Sequence, residues 1–190
     1  MEENDMKIKA KELRPTEQGR SPKLLEIETR PGYYKWWAKK SELNDLLKGL
    51  GETFSNVKDD IEKEDDLYCI YVGIARTSLR QRLNWHVNDK HTKKRVENGF
   101  LSTLRKSLSS VIAKDQYDKD KTNDFIDKLV VEFFYTGYKT KSEESTKKLL
   151  SIEKNLIGKN LRILNIMENN HPKAAKIKKR LQELRKEAKK

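Results

Sequence analysis

The sequence has few of the residues that form disulfides or bind structural metals. Its 190 residues include one cysteine, Cys69, so no disulfide can form within the chain and no CxxC pair is available for zinc. No apolar run approaches the roughly 18–20 residues of a membrane helix. The first residues, MEENDMKIKA, lack the apolar core of a signal peptide. These absences predict a cytoplasmic protein with no membrane span and no structural metal.

Positive charge is what the sequence has in excess. Lys and Arg number 42 against 30 Asp and Glu, a net charge of +12, which suggests a polyanionic partner. Residues 59–66 hold six acids and one lysine, whereas residues 76–95 hold seven Lys or Arg and one Asp. Residues 173–190 hold nine Lys or Arg and two Glu. This last segment fits a solvated helix and a phosphate-binding tail equally well.

The apolar pattern predicts an α+β fold, in which helices flank a small, three-stranded, mostly antiparallel sheet. The predicted strands are β-favouring apolar or aromatic segments, residues 32–38, 67–74 and 129–136. Helical periodicity and capping residues predict helices over residues 42–50, 78–87, 98–113, with Phe100 inward, and 142–157, ended by Gly158. Residues 161–167 are predicted to be extended, and a basic C-terminal helix follows.

The same pattern predicts the domain organisation. Residues 1–24 mix charges with proline and glycine and are predicted to form a loosely packed arm. Residues 25–168 form the predicted main domain, with an insertion at 41–66 between its first two strands. Residues 169–190 form the predicted basic helix or tail.

Glu153 is the most informative single residue. On a helix it shares one face with Leu149, Leu150, Leu156 and Ile157. A carboxylate on an apolar face is costly unless it meets a cation or a hydrogen-bond donor. Two interpretations stay open: Glu153 reaches water or a lysine at the edge of the face, or it is a metal ligand or general base.

Four further residues have side chains suited to phosphate chemistry. Arg82 and His86 lie four residues apart on a predicted helix, where arginine can bind phosphate and histidine can orient or move a proton. Tyr34 and Tyr71 lie in predicted strands. Each is compatible with a purely structural role, because surface Arg and His residues are common and buried tyrosines need a hydrogen-bond partner.

Taken in order, these residues resemble the GIY-YIG nuclease family. Gly32-Tyr33-Tyr34 matches the first motif and Tyr71-Val72-Gly73 the second, with Arg82-Leu83 and His86 on the following helix. Glu153 then opens Glu-Lys-Asn-Leu-Ile, and Asn165 follows it by twelve residues. The resemblance spans about residues 31–166. It departs from the family in the thirty-seven residues between Tyr34 and Tyr71, and Tyr33 is the alternative first-motif tyrosine.

The resemblance implies a metal-dependent endonuclease that hydrolyses DNA phosphodiester bonds, restriction-like or repair-like. The implied catalytic residues are Tyr34, Tyr71, Arg82, His86, Glu153 and Asn165. Glu153 would hold one Mg²⁺ or Mn²⁺ ion, for which a single carboxylate is sufficient. Arg82 would stabilise charge on the phosphoryl oxygens. Tyr34 would be the general base, with His86 accepting its proton or acting on water directly, while Tyr71 holds water or phosphate and Asn165 orients substrate or a tyrosine hydroxyl.

The basic segments then have a role as contacts for the nucleic-acid backbone. The predicted contacts are Arg76, Arg80, Lys90, Lys93, Lys94, Arg95, Lys178, Lys179 and Arg180. The expected partner is DNA, with RNA as a second choice, and a homodimer is expected on the substrate because one site cuts one strand. Two alternatives stay open: a nucleic-acid-binding module without catalysis, and an adaptor that binds a protein through an apolar stripe at Ile177, Leu181 and Leu184.

Overall fold

A computed structural model of the chain describes residues 6–190. Its strands are β1 (Met6–Lys9), β2 (Gly32–Lys39), β3 (Lys63–Glu64), β4 (Leu67–Ala75) and β5 (Val130–Tyr135). Its α-helices are α1 (Pro22–Glu26), α2 (Lys40–Leu50), α3 (Phe54–Val57), α4 (Leu79–Asn88), α5 (Lys93–Glu97), α6 (Thr103–Leu108), α7 (Lys119–Ile126), α8 (Glu143–Lys159) and α9 (Ala174–Glu187). A 3₁₀-helix spans Ala10–Leu13, and a π-helical turn spans Ser109–Ala113.

The strands form one antiparallel sheet in the order β1-β5-β2-β4-β3. The α+β class is confirmed, but the expected count of three strands is wrong because the sheet has five. Both additional strands lie at its edges and are short and charged, MKIK in β1 and KE in β3. Short charged edges protect a sheet from pairing with other chains, and they leave no apolar alternation for a sequence to display.

Pairing of β2 with β4 brings the two tyrosine motifs together. Tyr34 lies opposite Gly73 and Trp36 opposite Tyr71, so the four side-chain positions share one face of the sheet. Residue Ile70 is bulged, because Trp36 pairs with Tyr71 while Trp37 pairs with Cys69. The insertion between the motifs therefore connects two adjacent strands, and its length does not separate them in space.

Helices cover both faces of the sheet. Trp36 and Leu83 belong to the main core, in which α2, α4, α6 and α9 all bury apolar side chains. On the other face, Trp37, Cys69 and Val72 pack against Ile157 of α8. The helix that carries Glu153 thus lies on the opposite side of the sheet from the helix that carries Arg82.

Both ends of the described segment, residues 6–190, pack into this core. Ala10, Leu13 and Leu24 are buried, so residues 6–24 are not the expected loose arm; the first five residues lie outside the described part. At the other end, the stripe formed by Ile177, Leu181 and Leu184 is buried in the main core. That stripe is therefore not a free surface for a protein partner, and residues 174–187 are not a detached tail.

Three local expectations are corrected. The expected helix over 98–113 is divided into α6 and a π-helical turn, and Phe100 is 62% exposed instead of buried. Gly158 lies within α8, which continues to Lys159. Residues 161–167 form turns and irregular backbone rather than an extended segment.

Within residues 6–190, no helix is long and apolar enough to cross a membrane.

Candidate active site

A cavity of about 830 Å³ lies beside the second half of β4. Side chains from four separate parts of the chain line it. Tyr71 lies on β4 and Arg76 directly after it, while Arg82 and Trp85 lie on α4. Glu153 lies on α8, Asn165 follows that helix, and Arg185 lies on α9. Four of the six predicted catalytic residues therefore line one cavity. The other two, Tyr34 and His86, are fully buried.

A chain of hydrogen bonds runs from the cavity wall into the core. Nε of Arg82 donates to the Tyr34 hydroxyl at 3.1 Å, and that hydroxyl lies 2.7 Å from Nε2 of His86. Nδ1 of His86 lies 2.9 Å from Oγ of Ser102. Because guanidinium can only donate, we assign the Tyr34 proton to the bond with His86 and the His86 proton to Nδ1, facing Ser102.

The pKa values of this chain follow mainly from burial. Burial lowers the pKa of His86 well below its ordinary value, and the positive charges of Arg82 and Arg105 lower it further. Burial raises the pKa of Tyr34 and of Tyr71, and the charge of Arg82 opposes both shifts. At neutral pH the imidazole is therefore neutral and both phenols carry their protons.

The glycine of each motif is required by close packing. A Cβ at Gly73 would overlap the hydroxyl end of the Tyr34 ring, which lies directly over that position. A Cβ at Gly32 would overlap Leu79 and the carbonyl oxygen of Phe134, so this glycine lets α4 approach the sheet. The glycines therefore position Tyr34 and the helix that carries Arg82.

Tyr33 lies on the opposite face of the sheet from Tyr34, because neighbouring strand residues alternate. Its ring stacks on Phe134 with a centroid distance of 4.5 Å. The structure thus brings Tyr34, and not Tyr33, into contact with Arg82 and His86.

The Glu153 carboxylate is half-buried in the cavity. Among residues 6–190, no group forms a hydrogen bond or a close ion pair with it. Burial raises its pKa, and the nearby charges of Arg76 and Arg82 oppose that rise. An acceptor left free in a partly buried position is available to an exogenous cation.

Asn165 completes the open edge of β4. Strand β3 pairs with β4 at Leu67 and Tyr68, so Val72 lies beyond the end of that pairing. The Asn165 amide accepts from the Val72 N–H at 2.9 Å and donates to its carbonyl oxygen at 2.8 Å. The amide oxygen and one amide N–H are thus bound to the backbone of Val72, and no hydrogen bond joins Asn165 to a tyrosine hydroxyl within residues 6–190. It holds the strand between Tyr71 and Gly73.

The predicted backbone contacts occupy different environments. Arg76 lines the cavity. Five others are engaged within the protein: Arg80 with the carbonyl oxygens of Leu25 and Ile27, Lys93 with Glu97, Arg95 with Asp89, Lys178 with the carbonyl oxygen of Asn169, and Arg180 with Glu183 and Glu187. Lys90, Lys94 and Lys179 have exposed side chains without a hydrogen bond or ion pair to another described residue.

Sequence reasoning missed three residues of this region. Ser102 caps α6 and contacts His86, but one serine among many gives no signal of that contact. Trp85 is 42% exposed at the cavity rim and lies one residue before His86 on α4. Arg185 was one of nine basic residues in the C-terminal segment, and its place beside Leu184, on the buried edge of α9, was the available clue.

Comparison with known proteins gives a match to a family model. The family model for the GIY-YIG catalytic domain matches residues 32–187, which run from the first residue of β2 to the last residue of α9. No curated protein and no solved structure matches the chain.

Proposed function

The chain belongs to the GIY-YIG nuclease family, and we propose that it is a metal-dependent endonuclease that hydrolyses phosphodiester bonds in DNA. The observation that supports this most is the free Glu153 carboxylate, which shares its cavity with Arg82 and Tyr71. A cation at the carboxylate and a guanidinium nearby would together receive a phosphate group.

The residues present fit a Mg²⁺ or Mn²⁺ ion. Within residues 6–190 there is no group of three or more His, Cys, Asp or Glu side chains that could enclose a metal. Mg²⁺ does not need such a group, because it retains several waters and is commonly held by one or two carboxylates and by substrate phosphate. Glu153 would hold it, and when bound the ion would neutralise charge on the phosphate that is cleaved.

Arg82 is proposed to bind the phosphoryl oxygens. Its Nε donates to the Tyr34 hydroxyl, which fixes the plane of the guanidinium, and the side chain lines the cavity together with Tyr71. In the transition state the phosphoryl oxygens gain negative charge, which a preorganised guanidinium stabilises more than it stabilises the ground state.

Tyr71 is proposed to contact the attacking water, because its side chain lines the cavity. The earlier expectation gave the base role to Tyr34, but its hydroxyl lies inside the core between Arg82 and His86. We therefore propose that Tyr34, His86 and Ser102 act as positioning residues, which hold Arg82 and provide a neutral imidazole nitrogen for the Tyr34 proton. Asn165 positions Tyr71 through the backbone of Val72.

The substrate is proposed to be DNA, bound by exposed lysine and arginine side chains such as Lys90, Lys94 and Lys179. The structure contains one such cavity per chain among the described residues, and one cavity cuts one strand at a time. A double-strand cut would therefore need two copies on the substrate, whereas a nick needs one.

The experiment that tests this function is cleavage of supercoiled plasmid, single-stranded circular DNA and RNA in Mg²⁺ and in EDTA. Glu153→Gln removes the negative charge of the carboxylate with little change in shape, and we expect cleavage to fall by about 10²-fold or more. Glu143→Gln is the matched control, because Glu143 is exposed in the first turn of the same helix and pairs with Lys147.

Nicked or linear DNA in Mg²⁺, lost in EDTA and in Glu153→Gln but kept in Glu143→Gln, supports the proposal. Cleavage that persists in EDTA would contradict the metal requirement. Salt-sensitive binding without cleavage of any of the three substrates would favour the non-catalytic binding module instead.

A further inference from the structure

The side chain of Arg185, on α9, forms part of the wall of the cavity that contains Glu153. Its Nη2 donates to the carbonyl oxygen of Thr103 at 3.4 Å and to the hydroxyl of Ser107, so the side chain lies across α6. From there it lines the same cavity as Tyr71, Arg82 and Glu153. The residue comes from the segment that the sequence predicted to be a basic helix or tail, and it lies at the candidate site.

The guanidinium of Arg185 has no anionic partner in the described part of the protein. Its Nε is buried and lacks an acceptor, and no carboxylate between residues 6 and 190 lies within ion-pair distance. Two other arginines do have one: the partly buried Arg14 pairs with Asp127, and the fully buried Arg162 pairs with Glu62. The fully buried Arg105 has no carboxylate partner either, but its Nε and both terminal nitrogens all find neutral acceptors. An arginine that is partly buried without a counter-ion is costly for the free protein.

The surroundings of Arg185 are those of an anion site. The guanidinium lies close enough to Tyr71 for its charge to lower the pKa of that phenol, as Arg82 also does. Burial lowers the pKa of Arg185 itself, in keeping with the missing counter-ion. Arg82, Arg185 and Tyr71 thus line one cavity, and an anion bound in it would offset the charge of both guanidiniums.

We propose that Arg185 binds a phosphate of the substrate backbone inside the catalytic cavity. The inference rests on the proposed function and goes beyond it, because it assigns a second cationic residue to the substrate. Guanidinium suits this ligand, since it offers several N–H donors in one plane to phosphate oxygens. Arg185 differs in this from Arg180 on the same helix, which is already paired with Glu183 and Glu187.

Binding without cleavage tests this inference. In the Glu153→Gln background and in EDTA, the affinity for a fluorescent single-stranded oligonucleotide is measured over a range of salt concentrations. Adding Arg185→Gln is expected to weaken binding about tenfold or more and to make the salt slope shallower by about 0.7, the value for one phosphate contact. Lys186→Gln is the matched control, because it removes the same charge from an exposed neighbour on the same helix. It is expected to change the affinity less than about twofold.

A direct readout covers the case in which Arg185→Gln loosens α9. In the folded Glu153→Gln protein, the NMR signal of the Arg185 Nε–H is assigned by its loss in Arg185→Lys and followed as the oligonucleotide is added. A shift that saturates with binding supports the inference. An unmoved signal, or a salt slope that Arg185→Gln leaves unchanged, overturns it.

These outcomes are separable from failure of the proposed function. If wild-type protein cleaves DNA but the Arg185 signal and the salt slope do not respond, the phosphate site is wrong and the enzyme stands. If no metal-dependent cleavage occurs but both respond, the phosphate site stands and the enzyme is wrong.

Discussion

At the scale of single residues, Arg105 determines the protonation state of His91. The Arg105 side chain is fully buried and donates from Nε to Nε2 of His91 at 2.9 Å. Nδ1 of the same ring lies 2.7 Å from the carbonyl oxygen of Gln116, so it carries the proton. Further donation to the carbonyl oxygens of His86 and Val87 fixes the last turn of α4. A protonated His91 could not accept from Arg105, so the network requires a neutral ring.

This network predicts a loss of stability in mild acid. Burial and the Arg105 charge lower the pKa of His91 to about 4, whereas an unfolded histidine titrates near its ordinary value of about 6.5. As pH falls from about 6.5 towards 4, His91 therefore binds a proton in the unfolded chain but not in the folded chain. The free energy of unfolding decreases over this range, because proton binding favours the unfolded chain. Each such histidine contributes a slope of up to about 1.4 kcal/mol per pH unit.

The test is urea unfolding of wild type and His91→Gln across this range. Glutamine can accept from Arg105 and donate to Gln116, so the variant keeps both bonds but does not titrate. We expect the slope of stability against pH to become shallower by the contribution of one proton, with the remaining slope including that of buried His86. Parallel curves for the two proteins would show that His91 is not the titrating group.

At the scale of elements, the sequence located the parts of the fold that have a clear apolar period. Strands β2, β4 and β5 and helices α2, α4 and α8 lie near their expected positions. Strands β1 and β3 could not be found, because a charged edge strand has the composition of a loop. The helix expected from residue 98 begins later for a local reason: Ser102 caps α6, which leaves Phe100 outside it.

The residues of the site also divide into those that could be located from the sequence and those that could not. Tyr71, Arg82 and Glu153 each lie in an element with a clear period, so their elements could be predicted, and the resemblance to the family assigned them to one site. The buried place of Tyr34 and the backbone role of Asn165 depend on pairing between distant segments, which one sequence does not display. Arg185 was hidden because its neighbours are basic too, and charge composition does not distinguish a paired arginine from an unpaired one.

Gly73→Ala tests whether the β2–β4 pairing positions the catalytic chain. The new Cβ would overlap the Tyr34 hydroxyl, so the ring must move away from Arg82 and His86. We expect about 1–3 kcal/mol of lost stability from overpacking and a fall in cleavage rate of at least about tenfold, measured below the unfolding transition. Gly137→Ala is the control, because a Cβ there meets no atom of residues 6–190 within 4 Å. Full activity in Gly73→Ala would mean that Tyr34 does not need its observed place.

At the scale of the whole molecule, the acidic segment, residues 59–66, forms ion pairs with other parts of the protein. Its carboxylates pair with basic residues from other elements: Asp60 with Lys173, Glu62 with Lys35 and Arg162, Glu64 with Lys7, and Asp66 with Lys39. Four of its six acids are thus paired within the protein, and Asp59, Glu64, Asp65 and Asp66 lie at the surface. The net charge of +12 is carried by basic side chains that are not used in this way, and these are available to a polyanion.

The salt dependence of DNA binding distinguishes direct contacts by particular lysines from attraction by the net charge of the protein. Neutralising about five phosphates predicts that log affinity for duplex DNA falls against log salt with a slope of about −4 to −5. Replacing the three exposed, unpaired lysines Lys90, Lys94 and Lys179 by glutamine is expected to make that slope shallower by about 2–3. The control replaces Lys23, Lys39 and Lys147, which pair with acids, and removes the same total charge. If those three lysines contact DNA, the first triple variant loses slope and the control keeps it. Equal losses in the two variants would instead show that the attraction depends on net charge alone and that these lysines are not contacts.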